Sequence, residues 1–329
     1  MPIHGGSRFD IFQPLYDIPD KALGKELLAP PEDFLRFYKS RLEWLDTITV
    51  KNSDSSLQDR ARFTYLEMLK SHLTGTVFND AEHSVGVGLR QPKNSLGKKF
   101  NFAQREQGLD WTYLGDTMTG WARIKNVADL LKKVIVNEVP GDYIETGVWR
   151  GGSSMFARAI LRTYNEADKR KSFVCDSFRG LPPGEKELSK NDIGWDKSPY
   201  LEVSENIVAQ GFRKYGLLDS GVVFAKGFFN ETMPPLSKHI EKLAIMRLDG
   251  DMYESTVDVL YPMYAKLSVG GYVIMDDWSW FPSRTAVEDF FKVHGMNETI
   301  IDIDSASAYW KKTRDVQVQY WRYEQSKFT

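Results

Sequence analysis

Two acidic pairs carry the spacing most suggestive of chemistry. Asp249-Gly250-Asp251 follows the apolar run 243–248, and Asp276-Asp277 follows the apolar run 272–275. Runs of this kind read as buried parallel strands, and the carboxyl ends of such strands are where open α/β sheets place their ligands. Four carboxylates gathered there would repel one another unless a cation held them. Oxygen-only donors suit magnesium or calcium. Asp249, Asp276 and Asp277 are therefore the candidate metal ligands. A metal so held keeps positions for two neighbouring hydroxyls of an acceptor, lowering their pKa and fixing their orientation. Asp251, two residues past a ligand on the same turn, is the candidate general base. Helix or turn capping is the competing reading for Asp251 and Asp277, and it does not account for all four acids.

A second group surrounds the turn Glu145-Thr146-Gly147-Val148-Trp149-Arg150-Gly151-Gly152-Ser153. Glycines here let the backbone pass close to a ligand and start a helix whose N–H groups face it. Gly147 and Gly151 are four apart, unlike the dinucleotide fingerprint, and Glu145 precedes them. A glutamate at that point suits the ammonium end of an amino-acid-like ligand and repels a pyrophosphate. That favours S-adenosylmethionine over a nicotinamide dinucleotide. Thr146, Arg150 and Ser153 share the turn and join the cofactor-binding set. Asp176, about thirty residues on, stands where an acid accepts ribose hydroxyls. Ser177 and Phe178 follow it, Phe178 near the adenine, and Gly227-Phe228-Phe229 after the third strand is expected to close over the adenine ring.

These residues need a scaffold of alternating strands and helices. After Pro140, strands are expected at 143–148, 172–175, 222–225, 243–248 and 271–275, with two more at 299–303 and 316–323 closing as a hairpin. Helices are expected at 153–164, 204–215, 254–267 and 283–293, with a short helical turn after Pro235. The pattern predicts a Rossmann-like α/β fold: a seven-stranded, mostly parallel sheet with a C-terminal antiparallel pair, as in S-adenosylmethionine-dependent methyltransferases. Upstream, helices are expected over 57–73 and 117–137, with a loop at 84–108. Residues 32–45 offer an amphipathic helix, and 51–56 a linker. The organisation is an N-terminal extension (1–58), a helical cap (59–139) and a catalytic domain (140–329).

Composition excludes several classes. The chain has 329 residues, 42% hydrophobic, with a net charge of −2 and scattered Lys and Arg. Nucleic acid therefore finds no electrostatic footprint. No apolar run approaches the ~20 residues that span a bilayer, so no membrane partner is expected. One cysteine, Cys175, fits a reducing compartment, and a cytoplasmic location is expected. The N-terminal stripe of apolar residues favours contact between copies, hence a homo-oligomer, a dimer or tetramer. Asp249-Gly250-Asp251 also matches the D-x-D pattern of metal-dependent glycosyltransferases, and catechol-type methyltransferases share the same metal logic; both stay open as alternatives.

The motifs 145–152, Asp176-Ser177-Phe178-Arg179-Gly180-Leu181-Pro182, 248–256, 270–277 and Ala286-Val287-Glu288-Asp289-Phe290 resemble the macrocin O-methyltransferase family, across roughly residues 62–323. The resemblance implies methylation of sugar hydroxyls on natural products, with S-adenosylmethionine and magnesium as cofactors and a small-molecule glycoside as partner. It implies metal binding by Asp249, Asp276 and Asp277, with Asp251 as base. It also implies cofactor contacts from Thr117, Met118, Glu145, Gly147, Asp176, Ser177 and the Gly227-Phe228 turn. Phe228-Phe229 departs from the family's Trp-Phe, Trp121-Ala122 departs near the cofactor's entry, and 184–200, with Trp195 and Tyr200, falls where acceptor pockets vary most.

Overall fold

The computed structural model describes residues 57–78, 100–112, 114–184, 192, 199–279 and 281–323. The helix expected at 32–45, the linker at 51–56 and Trp195 lie outside them. Seven strands form one sheet in the order β3-β2-β1-β4-β5-β7-β6. They are β1 Asp142–Thr146, β2 Ser172–Asp176, β3 Val222–Lys226, β4 Leu243–Leu248, β5 Leu267–Met275, β6 Ile301–Asp302 and β7 Ala308–Lys311. The first five run parallel, and β7 pairs antiparallel with both β5 and β6. Among the described residues no helix is long and apolar enough to cross a membrane.

The eight α-helices of the described residues are α1 Leu57–Leu73, α2 Phe102–Glu106, α3 Gly120–Val136, α4 Gly152–Thr163, α5 Glu205–Lys214, α6 Phe229–Ser237, α7 Tyr253–Met263 and α8 Phe281–Val293. Alternation along the strands sends side chains to two separate cores. Tyr143, Val174 and Ile245 meet Leu73, Ile124, Val127, Met155 and Phe156 of α1, α3 and α4 on one face. Ile144, Phe173 and Met246 meet Met233, Leu260, Val287 and Phe290 of α6, α7 and α8 on the other. Helices α1 and α3, upstream of residue 140, thus join α4 in the core on one face of the sheet.

Four expectations differ from the structure. The helical turn expected after Pro235 is α6, which begins at Phe229 and carries Pro234 and Pro235 in its second half. Proline fits a first turn best, but here Thr232 and Glu231 donate their N–H groups to the Phe228 carbonyl and start the helix earlier. Residues 84–108 are not all loop, because α2 forms within them. Its cap is Asn101, whose side chain accepts from the Gln104 N–H at 3.2 Å, and Phe102 anchors it. The final strand is Ala308–Lys311, not 316–323. Ala308 and Trp310 alternate inward and β7 lies between β5 and β6, while Val316 and Tyr323 are buried in the core outside any strand. Finally, β5 starts at Leu267 rather than 271, crossing Gly270 with φ +91° and a shift in pairing with β4.

Candidate active site

The parallel register between β4 and β5 pairs Leu248 with Met275, so Asp249 and Asp276 leave the sheet side by side. Asp276 donates its N–H to the Leu248 carbonyl at 2.9 Å, and Asp249 donates to that of Thr146 on β1 at 2.9 Å. Carboxylate oxygens of Asp249, Asp276 and Asp277 all lie within 4.8 Å of one another. Asp276 and Asp277 are buried, while a quarter of the Asp249 side chain stays open to solvent. The three acids expected to share an ion are therefore brought together.

Asp251 sits at φ +58°, in the left-handed region that non-glycine residues seldom occupy. Three contacts hold it there. Its N–H donates to Asp277 Oδ2 at 2.9 Å, its carbonyl accepts from Ser283 Oγ at 2.5 Å, and the following Met252 N–H turns back to the Gly250 carbonyl at 2.5 Å. This conformation answers how acids two residues apart can face one place. Burial raises the Asp251 carboxyl to about 6, with the Asp276 charge adding and the Asp277 hydrogen bond opposing. Burial and mutual repulsion also push Asp249 and Asp277 well above the ordinary carboxylate range, Asp276 weighing most on Asp249 and Asp251 most on Asp277.

Two guanidinium groups lie under the acids. Arg247 on β4 is 1% exposed and donates to Glu145 Oε1 at 2.8 Å, Asp249 Oδ2 at 2.7 Å and Asp276 Oδ1. Arg123 on α3 donates to Asp276 Oδ2 at 2.6 Å and Asp304 Oδ2 at 2.7 Å. The two guanidinium groups thus bond four carboxylates (Glu145, Asp249, Asp276 and Asp304), and Asp277 adds a further acid to the cluster. The excess of buried negative charge and the all-oxygen donor set fit a hard divalent ion held by Asp249, Asp276 and Asp277.

The expected cofactor residues cluster on the neighbouring tips of β1, β2 and β3. Gly147 adopts φ +89°, and a β-carbon on it would fall 1.6 Å from the Asp249 carbonyl oxygen. Its N–H donates to the Cys175 carbonyl at 2.9 Å. Asp176 Oδ2 accepts the Val148 N–H at 2.8 Å and Oδ1 the Phe178 N–H at 2.7 Å, stitching the first two tips together. Gly227 donates to the Asp176 carbonyl at 3.0 Å, and Arg179 lies 4.3 Å over the Phe228 ring. Thr117 and Ser153 meet at 3.3 Å beside the start of α4, where Gly152 donates to the Asp116 carbonyl at 2.9 Å.

Other expected residues have partners inside the protein. Glu145 is buried and accepts from Tyr143 Oη, Ser154 Oγ and Arg247. Phe178 packs against Phe224 at 6.1 Å, and Met118 lies half-buried against the same core. Thr146 Oγ donates to the Arg247 carbonyl at 3.4 Å, and Ser177 Oγ donates to the Gly180 carbonyl. Arg150 lies 4.1 Å over Trp149 and donates to the Gly115 carbonyl at 2.8 Å.

Sequence reasoning did not find Arg247, Arg123, Asp304 or Asp192. Arg247 had a signal, since one arginine within the apolar run Leu243–Leu248 demands a buried acid. Asp192 accepts the Tyr253 and Glu254 N–H groups, each at 3.0 Å, and so caps α7 directly after the Asp251 turn. Trp111 stacks on Tyr200 at 4.6 Å beside Trp149, an aromatic group at the rim of the glycine turn.

Sheet order, the glycine turn and the acidic strand tips together define the Rossmann-like fold of S-adenosylmethionine-dependent methyltransferases. Comparison with known proteins narrows this class. The chain belongs to the Macrocin-O-methyltransferase (TylF) family, which it matches over residues 62–312, and is an O-methyltransferase. It is 37% identical over 278 residues to demethyldecarbamoylnovobiocin O-methyltransferase of Streptomyces niveus, covering 82% of this chain and 98% of that protein. It is 36% identical over 256 residues to mycinamicin III 3''-O-methyltransferase of Micromonospora griseorubida, covering 76% and 96%. The solved structure of the O-methyltransferase NovP superposes with a TM-score of 0.69 at 38% identity, covering 77% of this chain and all of that one.

Proposed function

We propose that this protein transfers a methyl group from S-adenosylmethionine to a hydroxyl of a sugar carried by a small-molecule natural product, with magnesium at the strand tips. The observation that carries the reading is the meeting of Asp249, Asp276 and Asp277 within 4.8 Å, with the backbone N–H of Asp251 bonded to Asp277. The relatives named above act, by their names, on demethyldecarbamoylnovobiocin and on mycinamicin III.

Asp249, Asp276 and Asp277 would hold the ion, which when bound supplies a Lewis acid that orients and acidifies two neighbouring acceptor hydroxyls. Asp251 takes the proton of the reacting hydroxyl. Burial raises the Asp251 carboxyl above an ordinary aspartate's, the direction that makes it a better proton acceptor. S-adenosylmethionine, when bound, would supply the methyl group to the freed oxygen and leave as S-adenosylhomocysteine. On the donor side, the turn from Gly147 to Ser153, with Thr117, Met118, Asp176, Ser177, Phe178 and the Gly227-Phe228 turn, positions the methionine and ribose portions. The protein's contribution is positioning and exclusion of water rather than covalent chemistry.

The test is incubation with methyl-labelled S-adenosylmethionine and either demethyldecarbamoylnovobiocin or mycinamicin III. A glycoside heavier by one methyl group is expected. Calorimetric titration with the donor and with UDP-glucose complements it: binding of the nucleotide sugar and none of S-adenosylmethionine would overturn the assignment.

A further inference from the structure

The two guanidinium groups beneath the acidic tips have no role in the chemistry just proposed, yet between them they bond four carboxylates of the site. Arg247 reaches three carboxylates from one strand position. It faces Glu145 across the parallel register of β1 and β4, and its fork spans Asp249 and Asp276. Arg123 takes the remaining oxygen of Asp276 and ties it to Asp304. Asp304 itself accepts the Ala306 and Ser307 N–H groups at 2.8 and 2.9 Å, and Ser307 Oγ donates to the Asp276 carbonyl at 2.5 Å. Asp276 is thus fixed on both carboxylate oxygens and on its backbone.

We propose that Arg247, backed by Arg123, is the positioning residue of the metal centre: it presets Asp249 and Asp276 in one orientation before a cation arrives. The proposal rests on the magnesium reading above. A carboxylate free to rotate must lose that freedom when it binds an ion, whereas one already held by a planar fork does not. The fork matters as much as the charge. A guanidinium presents donors at fixed angles to two acids at once, and an ammonium is a single point that cannot span them. The positive charge alone would weaken cation binding, so any benefit to the metal must come through geometry.

Lysine substitutions separate the two effects, because they keep the charge and remove the fork. The experiment is calorimetric titration of magnesium chloride into full-length wild type, R247K and R123K, with circular dichroism and metal-free melting temperatures recorded alongside. The expected result is magnesium affinity at least about tenfold weaker in R247K, the loss typical of removing a partner that orients metal ligands. R123K, which loosens only Asp276, is expected to lose roughly threefold or more. A merely structural role would lower the melting temperature and leave the affinity of the folded protein unchanged. Smaller losses than these, or tighter binding, would overturn the proposal while leaving the metal site standing. Should R247K not fold, R123K decides by its own threshold. If the wild type takes up no magnesium, the metal reading fails first and this proposal with it.

Discussion

Gly147 and Asp249 touch so closely that a methyl group on the glycine would lie 1.6 Å from the aspartate's carbonyl oxygen. The turn beyond β1 and the loop beyond β4 are therefore built against each other, and the glycine turn and the acidic tips share one wall. The close approach and the φ of +89° both require glycine.

Replacing Gly147 with alanine combines a left-handed residue with an overpacked contact. Each effect costs about 1–3 kcal/mol, so a total loss of roughly 3 kcal/mol is expected. Urea denaturation measures it; a loss under about 1 kcal/mol would mean that the loop moves aside freely.

Asp251→Asn should be a clean test of the base. Asparagine tolerates the left-handed conformation, so the turn and its Asp277 and Ser283 contacts persist. Turnover is expected to fall by about 10²–10⁴-fold, with S-adenosylmethionine affinity unchanged by calorimetry. Retained turnover would move the base elsewhere.

Asp192 holds the start of α7. Its loss in D192A removes the acceptor for the Tyr253 and Glu254 N–H groups, a change expected to cost about 1 kcal/mol. Since α7 begins two residues beyond Asp251, turnover should fall along with the urea midpoint, and D192N should recover most of both.

Acid stability should depend on Asp219. Burial works to raise its carboxyl, but the Arg158 hydrogen bond, the Gly221 N–H and the charges of Arg158 and Arg162 outweigh it, leaving the group below its ordinary value. A carboxyl lowered in the folded state stabilises above its unfolded pKa and loses that contribution as pH falls through the folded value. Wild type should therefore lose more urea resistance between about pH 6 and pH 3 than D219N does. Equal losses would contradict the pairing.

Cys175 offers a simple check on the core. It is fully buried, and burial, then the charges of Asp176 and Glu145, push its thiol well up. The folded protein should leave a thiol reagent unreacted, and one equivalent should react after denaturation.

Much of this was legible in the chain. Apolar runs ending in acids marked β4 and β5, and adjacency of those strands brought Asp249 to Asp276 as expected. The glycine turn and Asp176 likewise fell on neighbouring tips. What escaped needed three-dimensional information. Arg123 meets Asp276 across 153 residues, a pairing that depends on which face α3 turns to the sheet. The alternation Val316-Gln317-Val318-Gln319 points to a strand at 316–323, and the four residues of Ala308–Lys311 are too few to signal one. The prolines of α6 misled because their usual place opens a helix, and the Phe228 carbonyl had already opened this one.

The account stands on a divalent ion at the tips of β4 and β5. Methyl transfer to demethyldecarbamoylnovobiocin or mycinamicin III, whichever is accepted, should be measured in excess chelator and again after magnesium is restored. Turnover lost in chelator and regained with magnesium is the expected result; full turnover in chelator would contradict it.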